Sequence, residues 1–297
     1  MATHGARGFG LLGTILCCAL FCAPPVSADD AAALRARHAA LRPQLANNPF
    51  NRPLHLESRQ QDGTLQGDIY AQIAQPFAVA GPALQGTEQW CEILILHLNV
   101  KSCRANGSRS GAVLRLHIGR KFDQPLDDAY PVQFTYRVAA SRPDYLRVVL
   151  DADKGPMNTH DYRIVLEAVP LDATRSFLHL SYSYAYGMSA RVAMRGYLST
   201  IGRNKVGFSI VKPKAKGRDK YIGGMRGVVE RNTMRYYLAV EAYLGALSAP
   251  PGARVEKRLN DWFAANERYP LQLHEIGRAE YLAMKRKEIQ RQQAAGK

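Results

Sequence analysis

The sequence predicts an α+β fold: a curved antiparallel sheet wrapped around one long helix near the C-terminus, with extra helices after it. Three observations predict it. Stretches between residues 54 and 186 alternate apolar and polar side chains, the period-two signature of half-buried strands. Pro, Asp, Asn and Gly crowd the turns between them, as in an antiparallel meander. Beyond a basic stretch, Val229, Tyr236, Tyr237, Val240, Tyr243 and Leu244 recur at helical spacing until Pro250 and Pro251 stop them.

Taken in order, residues 1–28 read as a secretory signal peptide. Arg7 supplies the positive end, an apolar core follows, and Val26-Ser27-Ala28 offers small residues for cleavage. The apolar run falls short of the about 20 residues a spanning helix needs. Cys17, Cys18 and Cys22 lie within it, which leaves only Cys91 and Cys103 of the five cysteines. Removing Arg7 lowers the formal charge from +15 to +14. Such a balance suits anionic lipid surfaces or anionic ligands. Export argues against nucleic acid, and no nucleic-acid motif is present. About 270 remaining residues can bury a substantial core. The expected localisation is the periplasm.

Residues 29–50 form an Ala-rich helical segment that Pro43 is expected to kink or end. Asp62-Gly63 marks a hairpin, with Leu65, Gly67, Ile69, Ala71 and Ile73 on one face of its second strand. Two short helices follow, broken by Gly81-Pro82 and Gly86. Six or so strands come next. Val132, Phe134, Tyr136 and Val138 share a face, as do Leu146, Val148 and Leu150, then Tyr162, Ile164 and Leu166, then Leu178, Leu180, Tyr182, Tyr184 and Tyr186. A short helix over residues 188–202 and a last strand, "KVGFSIV", precede the long helix. Residues 51–249 make the main domain, and residues 250–297 a helical C-terminal extension.

The stretches "GDIYAQIAQPFAVAGPALQGTEQW" and "VVERNTMRYYLAVEAYLGAL" carry a resemblance. In order of elements, residues 54–247 resemble the START-like helix-grip superfamily, also called SRPBCC, which includes lipid-transfer and aromatase/cyclase-like proteins. The inserted helix at 188–202 and the extension beyond Pro250 depart from its plan. The resemblance implies an apolar pocket under the long helix for a lipid or polycyclic ligand. It also implies that a minority of such proteins are enzymes.

Cys91 and Cys103 bound the stretch "WCEILILHLNVKSC". As one strand, its 12 steps would hold the thiols roughly 40 Å apart. If the second small helix ends within it and the chain reverses near Asn99, the two can face each other. An oxidising compartment favours the bridge; the alternative is two buried thiols packed as small hydrophobes.

Most chemical motifs fail on inspection. His274-Glu275 lacks the second zinc ligand, because Arg278 stands in its place. "GSRSG" has Arg109 at its centre and reads as a hairpin loop. No metal-spaced cluster or phosphate loop calls for a cofactor. His117, His179 and Glu167, or His160-Asp161 with Glu167, are the residues an acid/base site could use. Glu230, Arg231 and Asn232 read as a capping and surface ion-pairing start to the long helix.

Tyrosines suit a pocket that must grip and orient a ligand, being apolar rings with polar tips. The candidate ligand-binding residues are therefore Tyr182, Tyr184, Tyr186, Tyr236, Tyr237 and Tyr243; ordinary core packing is the alternative. Between residues 203 and 220, seven cations face only Asp219. Lys212, Lys214, Lys216 and Lys220 are the candidate membrane contacts, unless the loop is simply solvated. The expected function is an exported carrier for an apolar small molecule or lipid. The rivals are a small-pocket cyclase, hydratase or lyase, and an envelope interaction protein without ligand.

Overall fold

The computed structural model describes residues 1–2, 28–61, 63–107, 111–188, 191–192, 196, 205–212 and 219–294. Strands β1 (Leu54–Gln61) and β2 (Thr64–Ile73) form the hairpin, turning at Gly63 with φ +78°. A positive φ favours glycine, which has no Cβ to clash. Asp62 and most of residues 1–28, expected as a signal peptide, lie outside the described residues, as does most of the helix expected at 188–202.

Helices α2 (Phe77–Ala83) and α3 (Thr87–Leu94) carry the chain to the far edge of the sheet. A meander of β3 (Val100–Asn106), β4 (Ala112–Ile118), β5 (Tyr130–Arg142), β6 (Tyr145–Lys154), β7 (Thr159–Pro170) and β8 (Ser176–Tyr186) then returns to β2. The eight-stranded order is β1-β2-β8-β7-β6-β5-β4-β3, antiparallel throughout. Helix α4 (Gly224–Gly245) packs on β1, β2 and β8. This is the predicted α+β helix-grip arrangement. Gly67 permits the closest approach, since a Cβ there would collide with Thr233 Oγ1 of α4.

The opposite sheet face is also covered. In α1 (Ala28–Ala46), Ala31, Leu34, Leu41 and Leu45 bury against Tyr70, Tyr145, Val169 and Phe177. Pro43 does not end this helix. It occupies the last turn, and Asn47 N–H still donates to the Pro43 carbonyl at 3.0 Å.

After α4 come α5 (Arg254–Glu267), α6 (Pro270–Leu273) and α7 (Arg278–Ala294). Their Leu259, Trp262, Leu273 and Tyr281 belong to the same core as the sheet and α4. Among the described residues, no helix is long and apolar enough to cross a membrane.

The segment expected as a last sheet strand does not join the sheet. Residues Ile210–Lys212 (β9) instead pair with Lys220–Tyr221 (β10) as a separate two-stranded ribbon. Glu230 explains its placement. This carboxylate, expected at the surface, is fully buried. It accepts from Phe208 N–H at 2.6 Å, Ser209 N–H at 2.9 Å, and the hydroxyls of Ser209 and Ser58 at 2.7 and 2.6 Å. Four donors satisfy the buried charge and tie β1 and residues 208–209 to α4. Arg231 is buried too, donating to the Val206 carbonyl at 3.1 Å. Local sequence could not reveal this, because the covering segment comes from before the helix.

Candidate ligand cavity

Between the sheet and the N-terminal half of α4 lies a cavity of about 390 Å³. On α4 its wall is Met225, Val228, Asn232 and Tyr236, spaced three and four apart and therefore on one helical face. Strand β8 contributes Tyr182 and Tyr184, β7 contributes Tyr162, and β5 contributes Val132 and Phe134. The turn between α3 and β3 adds His97 and Asn99.

The aromatic rings form a continuous lining. Tyr162 stacks on Tyr184 with centroids 5.2 Å apart, and Phe134 meets Tyr162 edge-on at 6.4 Å. Tyr182 lies 5.2 Å from Tyr236, which stacks on His97 at 4.8 Å. Such pairs are favoured by the ring quadrupoles and hold the wall in one shape. Burial pushes the phenols of Tyr182, Tyr184 and Tyr236 well above their ordinary range and that of Tyr162 to about 12. They remain protonated at neutral pH and can both donate and accept.

Three of the six candidate tyrosines thus line the cavity: Tyr182, Tyr184 and Tyr236. The other three do not. Tyr186 shares the β8 face but sits at the strand end, where its hydroxyl accepts from Gln60 Nε2 at 2.7 Å. Tyr237 is turned by 100° from its neighbour on α4 and bonds Glu241 at 2.9 Å and Arg52 at 3.1 Å. Tyr243 lies two turns beyond Tyr236, against the Arg258 guanidinium at 4.8 Å.

Solved structures were found that are similar to this chain. Truncated norcoclaurine synthase from Thalictrum flavum is 11% identical over 49% of this chain and 91% of its own, with a TM-score of 0.33. An aromatase/cyclase from Streptomyces sp. R1128 is 11% identical over 73% of this chain and 95% of its own, also at 0.33. A conserved protein of unknown function from Enterococcus faecalis is 9% identical over 80% of this chain and 89% of its own, at 0.30. No family model and no curated protein sequence matches. Likenesses this distant carry nothing about chemistry.

The expected acid/base residues are not on the cavity wall. His179 faces the other side of the sheet. Its Nδ1 lies 2.8 Å from Glu167 and its Nε2 3.0 Å from Asp68. Tyr145 donates to the second Glu167 oxygen, and Tyr70 stacks on the imidazole at 4.3 Å. Residues 68, 167 and 179 thus form a network beside α1. His117 meets Ser102 Oγ at 2.8 Å. His160 pairs with exposed Asp161 at 2.9 Å, apart from Glu167. Strand alternation explains the result: His117 and His179 point away from the inner, Leu-rich face.

His97 was missed as a wall residue, although the predicted reversal near Asn99 holds: α3 ends at Leu94 and β3 begins at Val100. The disulfide forms across this turn, Cys91 to Cys103, with Cα atoms 5.1 Å apart. A histidine between two paired cysteines at a chain reversal was the available signal. For Tyr162 it was the shared face with Ile164 and Leu166.

Lys212 and Lys220 are exposed and are Cα partners in the β9–β10 ribbon. Lys214 and Lys216 lie outside the described residues. Lys205, from the same basic stretch, is engaged with Glu275 at 3.3 Å and the His274 carbonyl at 2.6 Å.

Proposed function

We propose that this chain is an exported binding or carrier protein of the START-like helix-grip type, holding a lipid-like or other apolar ligand between sheet and α4. The observation that carries the reading is the cavity: about 390 Å³, with Tyr162, Tyr182, Tyr184, Tyr236 and Phe134 on its wall. Its size and composition fit those of small-molecule sites, mostly apolar with a few polar groups to orient the guest. The N-terminal 28 residues and the disulfide support export to an oxidising compartment.

The ribbon supports transient membrane contact. Lys212 and Lys220 stand opposite each other, an arrangement that like-charge repulsion disfavours and an anionic surface would relieve. Ile210 and Val211 are exposed beside them and offer apolar atoms to the same surface.

Native mass spectrometry of protein recovered after export tests the carrier reading, with Val228→Trp as control. The wild type should carry apolar ligand mass. The variant, whose indole fills the gap, should lose it and keep its unfolding midpoint. Repeated recovery of an empty wild-type cavity overturns the reading.

A further inference from the structure

We propose that His97 is the polar anchor of this cavity and that its ligand is an apolar carboxylate, whose oxygen accepts a hydrogen bond from Nε2–H. The proposal deepens the carrier reading and rests on it.

His97 is buried, with 2% of its surface exposed. Its Nδ1 accepts the Asn99 N–H at 3.1 Å, so the neutral ring carries its proton on Nε2. Among the described residues, buried Nε2 has no hydrogen-bond partner. A buried donor without an acceptor costs free energy unless a ligand supplies one.

The position is not an accident of a loose turn. The Cys91–Cys103 bridge closes its base. Lys285 Nζ holds the His97 carbonyl at 2.7 Å, and Asn99 Nδ2 holds the Gly119 carbonyl at 2.6 Å. The imidazole stacks on Tyr236.

Charge selects the class of acceptor. Arg235 of α4, Lys285 of α7, Lys101 of β3 and Lys121, just after β4, all act on the imidazole. Glu275 pairs with Arg235 and Lys121, and Glu288 with Lys101 and Lys285. Lys205 also pairs with Glu275, so five cations meet these two carboxylates. Burial first, and Arg235, Lys285, Lys121 and Lys101 next, hold His97 well below its ordinary range. Burial opposes any charge there, but the field of these cations, which also opposes an imidazolium, favours an anionic oxygen in its place. A neutral carbonyl would satisfy Nε2 but leave that field unused. The remaining wall is largely apolar and aromatic, with Arg120 and Asp128 as its charged residues, which calls for an apolar body behind a single charged end.

Fluorescence titration with 2-naphthoate, methyl 2-naphthoate and 2-ethylnaphthalene tests this. Wild type should bind naphthoate at least tenfold more tightly than the ester. His97→Phe should weaken naphthoate about tenfold or more and shift 2-ethylnaphthalene affinity much less. His97→Gln, which keeps an N–H donor, should recover part of the loss. Naphthoate should also shift the Nε2 resonance of the wild-type imidazole, a readout that needs no variant to fold. An unmoved resonance with unchanged affinity in His97→Phe overturns the anchor. Equal affinity for naphthoate and its ester overturns the carboxylate assignment. Failure of all three probes to bind wild type removes the carrier reading and the anchor with it.

Discussion

Lys285 Nζ lies 2.7 Å from the carbonyl oxygen of His97 and joins the last helix to the cavity wall. The ammonium is fully buried and also donates to the Val100 carbonyl and Glu288, each at 2.8 Å, using all three of its protons. Nearby, Gln292 accepts the Cys103 N–H at 2.8 Å and Arg291 donates to the Lys101 carbonyl at 3.0 Å. Helix α7 therefore covers edge strand β3 with side chains that satisfy its open backbone groups.

Lys285→Met leaves two carbonyls without their buried donor and removes one partner of Glu288. It should lower unfolding free energy by about 3 kcal/mol in urea titrations. Amide exchange at residues 97–103 should rise at the same time. Unchanged exchange there would mean that α7 does not support the turn.

The disulfide spans a sequence separation of 12. Closing a loop of that size stabilises by roughly 3 kcal/mol in the chain-entropy view. Cys91→Ala with Cys103→Ala should lose about that amount. Mapping of unreduced exported protein should recover the two cysteines in one linked peptide pair. Free, readily alkylated thiols would contradict the bridge.

The network at residues 68, 167 and 179 makes stability depend on pH. Burial opposes a charge on His179, but hydrogen bonds and attraction from Asp68 and Glu167 outweigh it and raise its pKa above 6.5. Burial also opposes the charges of Asp68 and Glu167, yet their bonds to His179 leave both below the usual carboxylate range. The histidine contribution is fully present below about pH 6.5 and is lost as pH rises through the folded value. The carboxylate contributions are present above about pH 4.5 and are lost as pH falls. His179→Asn should therefore be most destabilising near about pH 5.5 and less so at about pH 9.5. Urea midpoints at the two values check this; an equal deficit at both would remove the titrating role.

Replacing Lys212, Lys214, Lys216 and Lys220 by Gln should weaken binding to anionic vesicles at low salt. Each lysine near such a surface contributes about 1 kcal/mol, so a loss of at least about tenfold is expected. The difference should shrink at physiological ionic strength, where screening acts over about 8 Å. The unfolding transition should stay nearly unchanged, since Lys212 and Lys220 are exposed. Equal vesicle binding across salt concentrations would leave the loop merely solvated.

Much of the cavity was legible residue by residue, and its limits have physical causes. Tyr182 and Tyr184 had to share a face because strand side chains alternate. That rule cannot say where a gap ends, and Tyr186, two residues further, meets Gln60 instead. Helical spacing grouped Tyr236 with Val229, Tyr237 and Val240 and could not tell which side of the helix faces the gap; its wall neighbours Val228 and Asn232 were outside that set. His179 looked like a candidate base; its face of the sheet turned out to be the one beside α1.

The sequence by itself determined the meander strands, the hairpin at Gly63 and the long helix, and it named the condition, a reversal near Asn99, under which Cys91 can meet Cys103. These follow from periodicity and turn chemistry, which act between near neighbours. Tertiary structure alone decided that Glu230 is buried, that Lys285 holds the His97 turn, and that residues 210–212 leave the sheet. Each depends on a partner brought from far along the chain: residues 208–209 over Glu230, and α7 against β3. Desolvation and hydrogen bonding at those meetings are properties of the packed molecule, and no local pattern encodes them.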